Sequence, residues 1–381
     1  MPLKWSTELN RNGEVLSKPI HQKAKSVAAE FAAAADQRRS LSKEVVETLR
    51  ECGFGRHFVP TIYGGENGDF TTLMAEVGSL GGSCASTGWC GSLYATCGRM
   101  ASYLPVRGQE EIWGKSGPDV LISTSYRRSG QSIPTEDGWI LSGQWHYLSG
   151  IEHAAWALVC FAPSEGGSRY GAVRVEDCKI LDNWETLGMR GTGSHSISLD
   201  NIFVPFHRTF HKRELFSGRS RSTEGKQYQV SPIATDPVLF MAVALGSARD
   251  LMEKWAPAGL IRSTDSIFAA AYARSDAELD AAQLLLDRAC LNCDQGEMST
   301  FVMLRNARDV SLAAELVIAS TERVFRLLGS HVHSQSDTTR KWRDIQTLVS
   351  HIGIRSDLNF KNFSNYLWET QRMNCAHSFS K

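Results

Sequence analysis

The sequence predicts an α+β protein with a helical first part, a small β-rich middle part and a long helical last part. The first ~115 residues and those after about 232 form amphipathic runs rich in helix-forming side chains. Between about 119 and 210, short β-branched runs alternate with turn residues. We predict three domains: an N-terminal helical domain (1–117), a central β domain (118–212) and a C-terminal helical bundle (213–381).

Two long helices are predicted in the first domain. The stretch SVAAEFAAAADQRRSLSKEVVETLRECGF is rich in Ala, Leu, Glu and Arg, and we expect Gly53 to end it. After a glycine-rich loop, a second helix is expected from about Thr71 to Leu104. Its interior, CASTGWCGSLYATCGRM, consists mainly of small residues, which allow close approach of another helix or of something flat.

The middle part predicts a small antiparallel sheet or barrel of six to eight strands. The strand-like segments are VLISTSY, GWILSGQWHYLSG, WALVCFA, YGAVRV and HSISLDNIFVP. In GQWHYLSG, a regular strand would place Trp145, Tyr147 and Ser149 on one face. Such a face packs into a core or forms a wall against a planar ligand.

Four long amphipathic runs with few helix breakers predict a four-helix bundle at the end of the chain. We expect the last run, TTRKWRDIQTLVSHIGIRSDLNFKNF, to be a single helix. Its helical period places Asp344 and His351 on one stripe with Leu348 and Arg355. This stripe borders an apolar face formed by Trp342, Ile345, Val349 and Ile352.

Composition excludes several classes of function. The 381 residues include 41 basic and 41 acidic side chains, so charge gives no case for nucleic acid or an anionic membrane as a partner. The longest apolar run, AAWALVCFA, is too short to span a bilayer, and the N-terminus lacks a signal-peptide core. We expect a soluble, cytoplasmic protein.

No metal site is expected. The nine cysteines lie mostly in apolar, helix-like contexts, which indicates reduced, buried thiols. Cys290 and Cys293 have redox or metal spacing but no second pair, and His331 and His333 have no third ligand at zinc-like spacing.

Four stretches together resemble the acyl-CoA dehydrogenase superfamily. They are YGG at Tyr63–Gly65, GQWHYLSG at Gly143–Gly150, LGMRGTGSHSISLDNIFVP at Leu187–Pro205 and the late RKWRD. Each stretch alone is weak evidence for the resemblance. Leu187–Pro205, taken alone, is typical of a strand pair with a glycine-rich turn. Their order and spacing carry the resemblance, which extends from about Ser40 to Asp357.

Within the superfamily, the sequence is similar to the hydroxylase branch, the two-component flavin-dependent monooxygenases. Dehydrogenases show Gly-x-Lys-x-Trp-Ile-Thr at the flavin, whereas here Trp145, Tyr147 and Ser149 stand in place of the Lys, Trp and Thr. The hydroxylase pattern SG..HA.W occurs from Ser149 to Trp156, and CASTGW with Trp89 agrees with it.

The resemblance implies a reduced flavin, FAD in preference to FMN, between the β domain and the bundle. It places Ser123, Thr124 and Ser149 at the polar edge of the flavin, and Trp89 and Tyr147 near its ring. It further implies O2 as co-substrate. No βαβ unit for NADH is evident, so a separate NAD(P)H:flavin reductase is also implied.

The resemblance also implies a homotetramer with shared cofactor sites. Gly329 and Ser330 fall where related proteins meet the cofactor of a neighbouring subunit. Arg274 falls near where an arginine meets phosphate, and its alternative is an ordinary solvated helix face.

The absence of one glutamate favours oxygenation over dehydrogenation. Many dehydrogenases of the family place their catalytic Glu near position 352, but no Glu occurs between Thr338 and Leu367. Asp236, in IATDPVLF, falls near the alternative base position of a second subgroup, and it equally fits a helix cap. An acyl-CoA dehydrogenase or oxidase therefore stays as an alternative, as does a non-catalytic binding protein.

His351 lies near the missing glutamate. Alone it would be a structural histidine, but the family context makes it the candidate acid–base residue at the distal oxygen of a flavin C4a-(hydro)peroxide or at the substrate hydroxyl. Ser149 is the candidate acceptor of the flavin N5–H. The expected substrate is a small aromatic or indole-like compound, with N-hydroxylation of an amine or amino sugar as the alternative.

Overall fold

The computed structural model describes residues 19–261, 266–296, 298–327 and 336–378. The predicted order of helices, strands and helices is confirmed in these residues. The first part contains α1 (Pro19–Arg38), α2 (Lys43–Glu51), α3 (Phe70–Ser83), α4 (Ala85–Ala101) and the short α5 (Val106–Gln109).

Each of the two predicted N-terminal helices is broken once. Arg39 takes a positive φ of 59°, which separates α1 from α2. Cys84 is extended, with φ −154° and ψ 115°, and separates α3 from α4. Gly53, at φ 86°, follows the end of α2 as expected.

The β-rich part forms two four-stranded sheets, so the described chain has eight strands, the upper end of the predicted range. The first sheet has the order β1-β4-β5-β8 and the second the order β2-β3-β7-β6. Among the described strands, the β1–β4 pair is parallel, and the other five pairs are antiparallel as predicted. The strands are β1 (Ile122–Ser125), β2 (Gln131–Pro134), β3 (Gly138–Leu148), β4 (Trp156–Phe161), β5 (Arg169–Arg174), β6 (Lys179–Leu181), β7 (His195–Pro205) and β8 (Thr209–His211).

A bulge in β3 overturns the prediction of one shared face. Trp145 pairs with Ile197 and Leu148 pairs with His195, so β3 has two residues where β7 has one. Tyr147 lies in this bulge with a φ of 64°, and its side chain is 63% exposed while Trp145 is fully buried. The period of two is therefore lost between Trp145 and Ser149.

The last part is a bundle that begins after the short α6 (Lys212–Phe216). Its helices are α7 (Pro232–Ile261), α8 (Ser266–Gln295), α9 (Thr300–Leu327), α10 (Asp337–Val349) and α11 (Ser356–Ser378). The side chains of α7 are buried almost without interruption from Val238 to Ala248, so α7 lies at the centre of the core. None of the described helices is long and apolar enough to cross a membrane.

The single helix predicted for the last run is wrong. α10 ends at Val349, and His351 has extended angles, with φ −60° and ψ 138°. The His351 Nδ1 accepts a hydrogen bond from the Gly353 N–H at 3.2 Å and starts a 3-10 turn over Ile352–Ile354. Ile352, expected on the apolar face, is 72% exposed.

Glycines on α3 and α7 bring the two helices into backbone contact, which the sequence did not predict. A Cβ added to Gly246 would lie 1.9 Å from the carbonyl oxygen of Gly78, and one added to Gly81 would lie 2.4 Å from that of Val243. Ser247 Oγ donates to the Gly81 carbonyl at 2.7 Å. This contact fixes the N-terminal helices against the bundle.

Candidate functional site

Trp89 joins the three parts of the fold. It lies on α4, and its indole stacks on Phe240 of α7 with ring centroids 4.1 Å apart and planes at 26°. The His351 ring approaches the indole edge-on at 5.8 Å. Trp89 Nε1 donates a hydrogen bond to Ser149 Oγ at 3.0 Å. Residues from α4, α7, the end of β3 and the segment after α10 therefore meet at one place.

Ser149 follows β3 and is 5% exposed. Its Oγ lies 2.6 Å from Ser194 Oγ, which in turn lies 2.7 Å from Thr192 Oγ1. The carbonyl of Ser149 accepts a hydrogen bond from Ser123 Oγ at 2.8 Å. Ser149 is thus held by side chains from β1 and from the turn before β7.

The turn before β7 is held by α10. Asp344 Oδ1 accepts a hydrogen bond from the Met189 N–H at 2.5 Å, and Met189 has a φ of 55°. Asp344 is 3% exposed, and burial raises the pKa of its carboxyl to about 7. A Cβ on Gly188 would lie 2.2 Å from the Arg343 carbonyl, so glycine permits this close approach.

His351 reaches the site from a loop rather than from a helix face. Its ring lies 5.0 Å from the Phe240 ring, with the planes at 76°. Burial lowers the pKa of His351, so the imidazole is neutral near pH 7. Because Nδ1 accepts from Gly353, the hydrogen of the neutral ring lies on Nε2.

Asp236 lies at the start of α7 and is 5% exposed. Tyr126 OH donates to its Oδ2 at 2.6 Å, and Thr235 Oγ1 donates to its Oδ1 at 3.0 Å. Burial raises the pKa of the Asp236 carboxyl, and the buried Arg99 guanidinium opposes that shift. Both carboxylate oxygens already accept hydrogen bonds, as in a structural buried carboxylate.

The other sequence-predicted site residues lie elsewhere. Thr124 is buried and its hydroxyl donates to the Leu158 carbonyl at 3.1 Å. The Tyr147 ring projects to the surface, where it meets Trp184 at 6.3 Å. Arg274 is exposed on α8 and pairs with Glu278 at 2.9 Å, as on a solvated helix face. Gly329 and Ser330 lie outside the described residues, as do His331 and His333.

The expectations for cysteines and metals have different outcomes. The eight cysteines whose state the structure describes are free, and Cys290 and Cys293 are buried within α8. Within the described ranges, no group of three or more potential ligand side chains could hold a metal ion. The expected absence of a metal stays a prediction.

Three side chains of the site were missed from the sequence. Phe240 was one of many apolar residues in its run, with no local sign of its contact with Trp89 and His351. Thr192 and Ser194 do carry a local signal. They flank Gly193 in the sequence TGS, and two hydroxyls beside a glycine of φ 52° can point the same way.

Comparisons with known proteins agree with this architecture. A family model described as acyl-CoA dehydrogenase, C-terminal domain, matches residues 238–356. Flavin-dependent monooxygenase, oxygenase subunit HsaA, of Rhodococcus jostii (strain RHA1) is 26% identical over 330 residues, which cover 80% of this chain and 86% of the relative. The oxygenase component of p-hydroxyphenylacetate 3-hydroxylase of Acinetobacter baumannii is 32% identical over 235 residues, which cover 59% of this chain and 55% of the relative.

A solved structure extends the likeness to the fold of nearly the whole chain. XiaF from Streptomyces sp., in complex with FADH2 and glycerol, superposes with a TM-score of 0.86 at 22% sequence identity and covers 92% of this chain and 94% of its own. The predicted α+β architecture of acyl-CoA dehydrogenase type is confirmed by this likeness. The chain is therefore an oxidoreductase similar to the oxygenase components of two-component flavin-dependent monooxygenases, and its residues 238–356 match the acyl-CoA dehydrogenase C-terminal domain.

Proposed function

We propose that this chain takes reduced flavin from a separate NAD(P)H:flavin reductase and uses it with O2 to hydroxylate a small aromatic or indole-like compound. One observation carries the proposal. Ser149, Trp89 and His351 converge at the junction of the β sheets and the bundle. The segment where many dehydrogenases carry their glutamate supplies this imidazole instead.

The residues at this junction suit a flavin. Trp89 and Phe240 form a stacked aromatic surface, and the hydroxyl of Ser149 lies at its edge. A planar, apolar ring system with polar atoms along one edge fits such a surface. When bound, the reduced flavin would supply two electrons and the site of O2 activation.

The side chains of the site have separable roles in this proposal. Ser149 would accept a hydrogen bond from N5–H of a bound reduced flavin and so would limit the release of H2O2. The His351 Nε2–H lies on the side of the ring not used by Gly353, where it donates to the reacting oxygen or to a substrate hydroxyl. Trp89 and Phe240 exclude water from the reacting atoms.

Asp236 argues against the dehydrogenase alternative. A base must take a proton from the substrate, and the hydrogen bonds from Tyr126 and Thr235 lower the pKa of the Asp236 carboxyl and so weaken it as a base. The names of the relatives, which include an indole-3-acetate monooxygenase and a resorcinol hydroxylase, support an aromatic substrate for this chain. N-hydroxylation of an amine or amino sugar is the second outcome to examine.

We infer FAD as the preferred flavin and a homotetramer from the resemblance to the branch, and a cytoplasmic location from the sequence. Gly329 and Ser330 stay predicted contacts to the cofactor of a neighbouring subunit, and Arg274 stays a predicted contact to phosphate. In such a contact, Arg274 would exchange its exposed pairing with Glu278 for a phosphate.

The test is a single-turnover assay. The purified protein is mixed anaerobically with reduced FAD or FMN, then with O2 and a panel of phenols, indoles and amino sugars. We expect hydroxylated product from an aromatic member, with less than one H2O2 per flavin. A protein that retains oxidised flavin and is bleached by an acyl-CoA would instead be a dehydrogenase. Absence of flavin binding would indicate a non-catalytic relative.

A further inference from the structure

Three buried hydroxyls form a continuous chain that ends at Ser149. Ser149, Ser194 and Thr192 are 5%, 6% and 2% exposed, respectively. Their oxygens are separated by 2.6 Å and 2.7 Å, which are distances for strong hydrogen bonds. At the far end, Thr192 Oγ1 lies 2.8 Å from the Met189 carbonyl oxygen. We call these three residues the hydroxyl chain.

The direction of each hydrogen bond in the hydroxyl chain follows from counting hydrogens. A hydroxyl has one hydrogen, and a carbonyl has none to give. Two oxygens at 2.8 Å without a hydrogen between them repel each other, so Thr192 must donate to Met189. Thr192 has then no hydrogen left, and Ser194 must donate to Thr192. By the same step, Ser149 must donate to Ser194.

The far end of the chain is fixed in place. The Met189 carbonyl belongs to the turn that Asp344 holds through the Met189 N–H at 2.5 Å. Trp184 Nε1 also donates to this carbonyl, at 3.1 Å. Met189 itself is 4% exposed. The carbonyl therefore cannot turn away to release the Thr192 hydrogen without loss of both supports.

The consequence appears at Ser149. Its hydrogen points to Ser194, and one of its two lone pairs accepts from Trp89 Nε1 at 3.0 Å. The single remaining position on Ser149 Oγ is a lone pair. Toward any further group, Ser149 is an acceptor and not a donor.

We propose that the hydroxyl chain selects the redox state of the bound flavin, with Thr192 and Ser194 as positioning residues that act through Ser149. This inference rests on the proposed function, which places the flavin N5 at Ser149. Reduced flavin carries a hydrogen on N5 and matches the free lone pair of Ser149. Oxidised flavin has a lone pair on N5, so two acceptors would face each other without a hydrogen. The protein would therefore retain reduced flavin and release oxidised flavin, which the reductase can reduce again.

Two substitutions weaken this selection without changing Ser149. In Thr192→Val, the Ser194 hydrogen loses its acceptor and turns to Ser149, which frees the Ser149 hydrogen for the flavin. In Ser194→Ala, the Ser149 hydrogen loses its acceptor directly. In both variants Ser149 becomes able to donate to N5 of oxidised flavin. Thr192→Ser keeps the hydroxyl and leaves the selection intact.

The experiment measures dissociation constants of oxidised FAD and of dithionite-reduced FAD, the latter by anaerobic equilibrium dialysis. For the wild type we expect tighter binding of reduced FAD. In Thr192→Val and Ser194→Ala, the ratio of the oxidised to the reduced constant should fall by about tenfold, the value of one hydrogen bond made or lost. Thr192→Ser should keep the wild-type ratio.

Thr48→Val is the matched control, because Thr48 is also buried and its hydroxyl donates to a carbonyl, that of Glu44, at 2.7 Å. It should leave the ratio unchanged. Equal affinity of the wild type for both flavins overturns the inference, as does a Thr192→Val protein that loses affinity for both flavins equally. Each of these results leaves the proposed function standing. A wild type that binds neither flavin overturns both.

Discussion

The imidazole of His351 meets the ring of Phe240 edge-on, with ring centroids 5.0 Å apart. This contact orients a histidine that no helix supports, since α10 ends at Val349. Burial in this aromatic corner lowers the pKa of His351, and the hydrogen bond from Gly353 to Nδ1 leaves Nε2 as the donor. A neutral imidazole with a fixed tautomer is suited to proton transfer near pH 7.

Replacement of His351 by Ala should lower the yield of hydroxylated product per reduced flavin by about 10- to 1000-fold, the effect of a lost acid–base group. His351→Gln, which retains an N–H donor but does not transfer protons, should be impaired as well. Rapid-quench measurement of product in a single turnover checks both variants.

His211→Ala is a matched control for the His351 variants. His211 on β8 bonds to Arg169, and burial likewise lowers its pKa, but it lies in the sheet away from Trp89. Its replacement should leave the yield unchanged. If His351→Ala gives the wild-type yield, the imidazole has no part in the reaction.

Replacement of Ser149 by Ala should raise the release of H2O2 relative to product, because the N5 hydrogen then lacks its acceptor. The comparison is Ser132→Ala, a serine on β2 whose hydroxyl donates to the Ala162 carbonyl at 3.2 Å. Peroxidase-coupled detection gives the H2O2 per reduced flavin. Wild-type leakage in the Ser149 variant would remove this serine from the mechanism.

Asp344 should make the stability of the protein depend on pH. Its pKa is about 7 in the folded protein against a usual 3.8, so the folded state binds the proton more tightly than the unfolded state. The free energy of unfolding should therefore fall as pH rises from about 4 to about 7. Asp344→Asn keeps an acceptor for the Met189 N–H but carries no charge.

Urea unfolding at several pH values checks this. Above pH 7, Asp344→Asn should be more stable than the wild type by on the order of 1–3 kcal/mol, and at pH 4 the two should be nearly equal. Asp357→Asn, which alters an exposed pair with Arg355, should leave the pH dependence as it is. A parallel pH dependence in wild type and Asp344→Asn would show that Asp344 is ionised throughout this range.

The sequence predicts the order of the three parts well, because helical and strand periods are local properties. It also indicates the close packing of α4, where a Cβ on Gly88 would lie 2.7 Å from the Val77 carbonyl oxygen of α3. The meeting of Trp89, Ser149 and His351 depends on tertiary structure, and only the resemblance to a family predicted it. No local pattern marks Phe240 as their neighbour.

Two errors have the same physical origin. The period of two fails at Tyr147 because a bulge adds one residue to β3, and the period of 3.6 fails at His351 because α10 stops two residues earlier. A bulge reverses the direction of the strand side chains that follow it, and a helix end breaks the helical period; the sequence pattern shows neither. His351 still reaches the site, where its ring contacts Phe240, although it does not lie on a helical stripe.

The junction between the first helices and the bundle should depend on Asp294. This α8 residue accepts hydrogen bonds from the N–H groups of Phe70 at 2.7 Å and Thr71 at 3.0 Å, and from Thr71 Oγ1 at 2.5 Å. The two amides belong to the first turn of α3, where helix N–H groups lack partners of their own. The carboxylate of Asp69, the N-cap of α3, accepts hydrogen bonds from Thr72. Asp294 thus caps a helix from another part of the fold.

Asp294→Ala should lower the free energy of unfolding by about 1–3 kcal/mol, because it leaves buried backbone donors unsatisfied at the start of α3. Asp294→Asn keeps one acceptor oxygen without the charge, so its free energy of unfolding should fall by less. Urea unfolding measures both, with the exposed Asp177→Ala as control. If Asp294→Ala unfolds at the control midpoint, the first turn of α3 does not depend on this cap, and the docking of α3 on the bundle rests on its other contacts, such as those with α7.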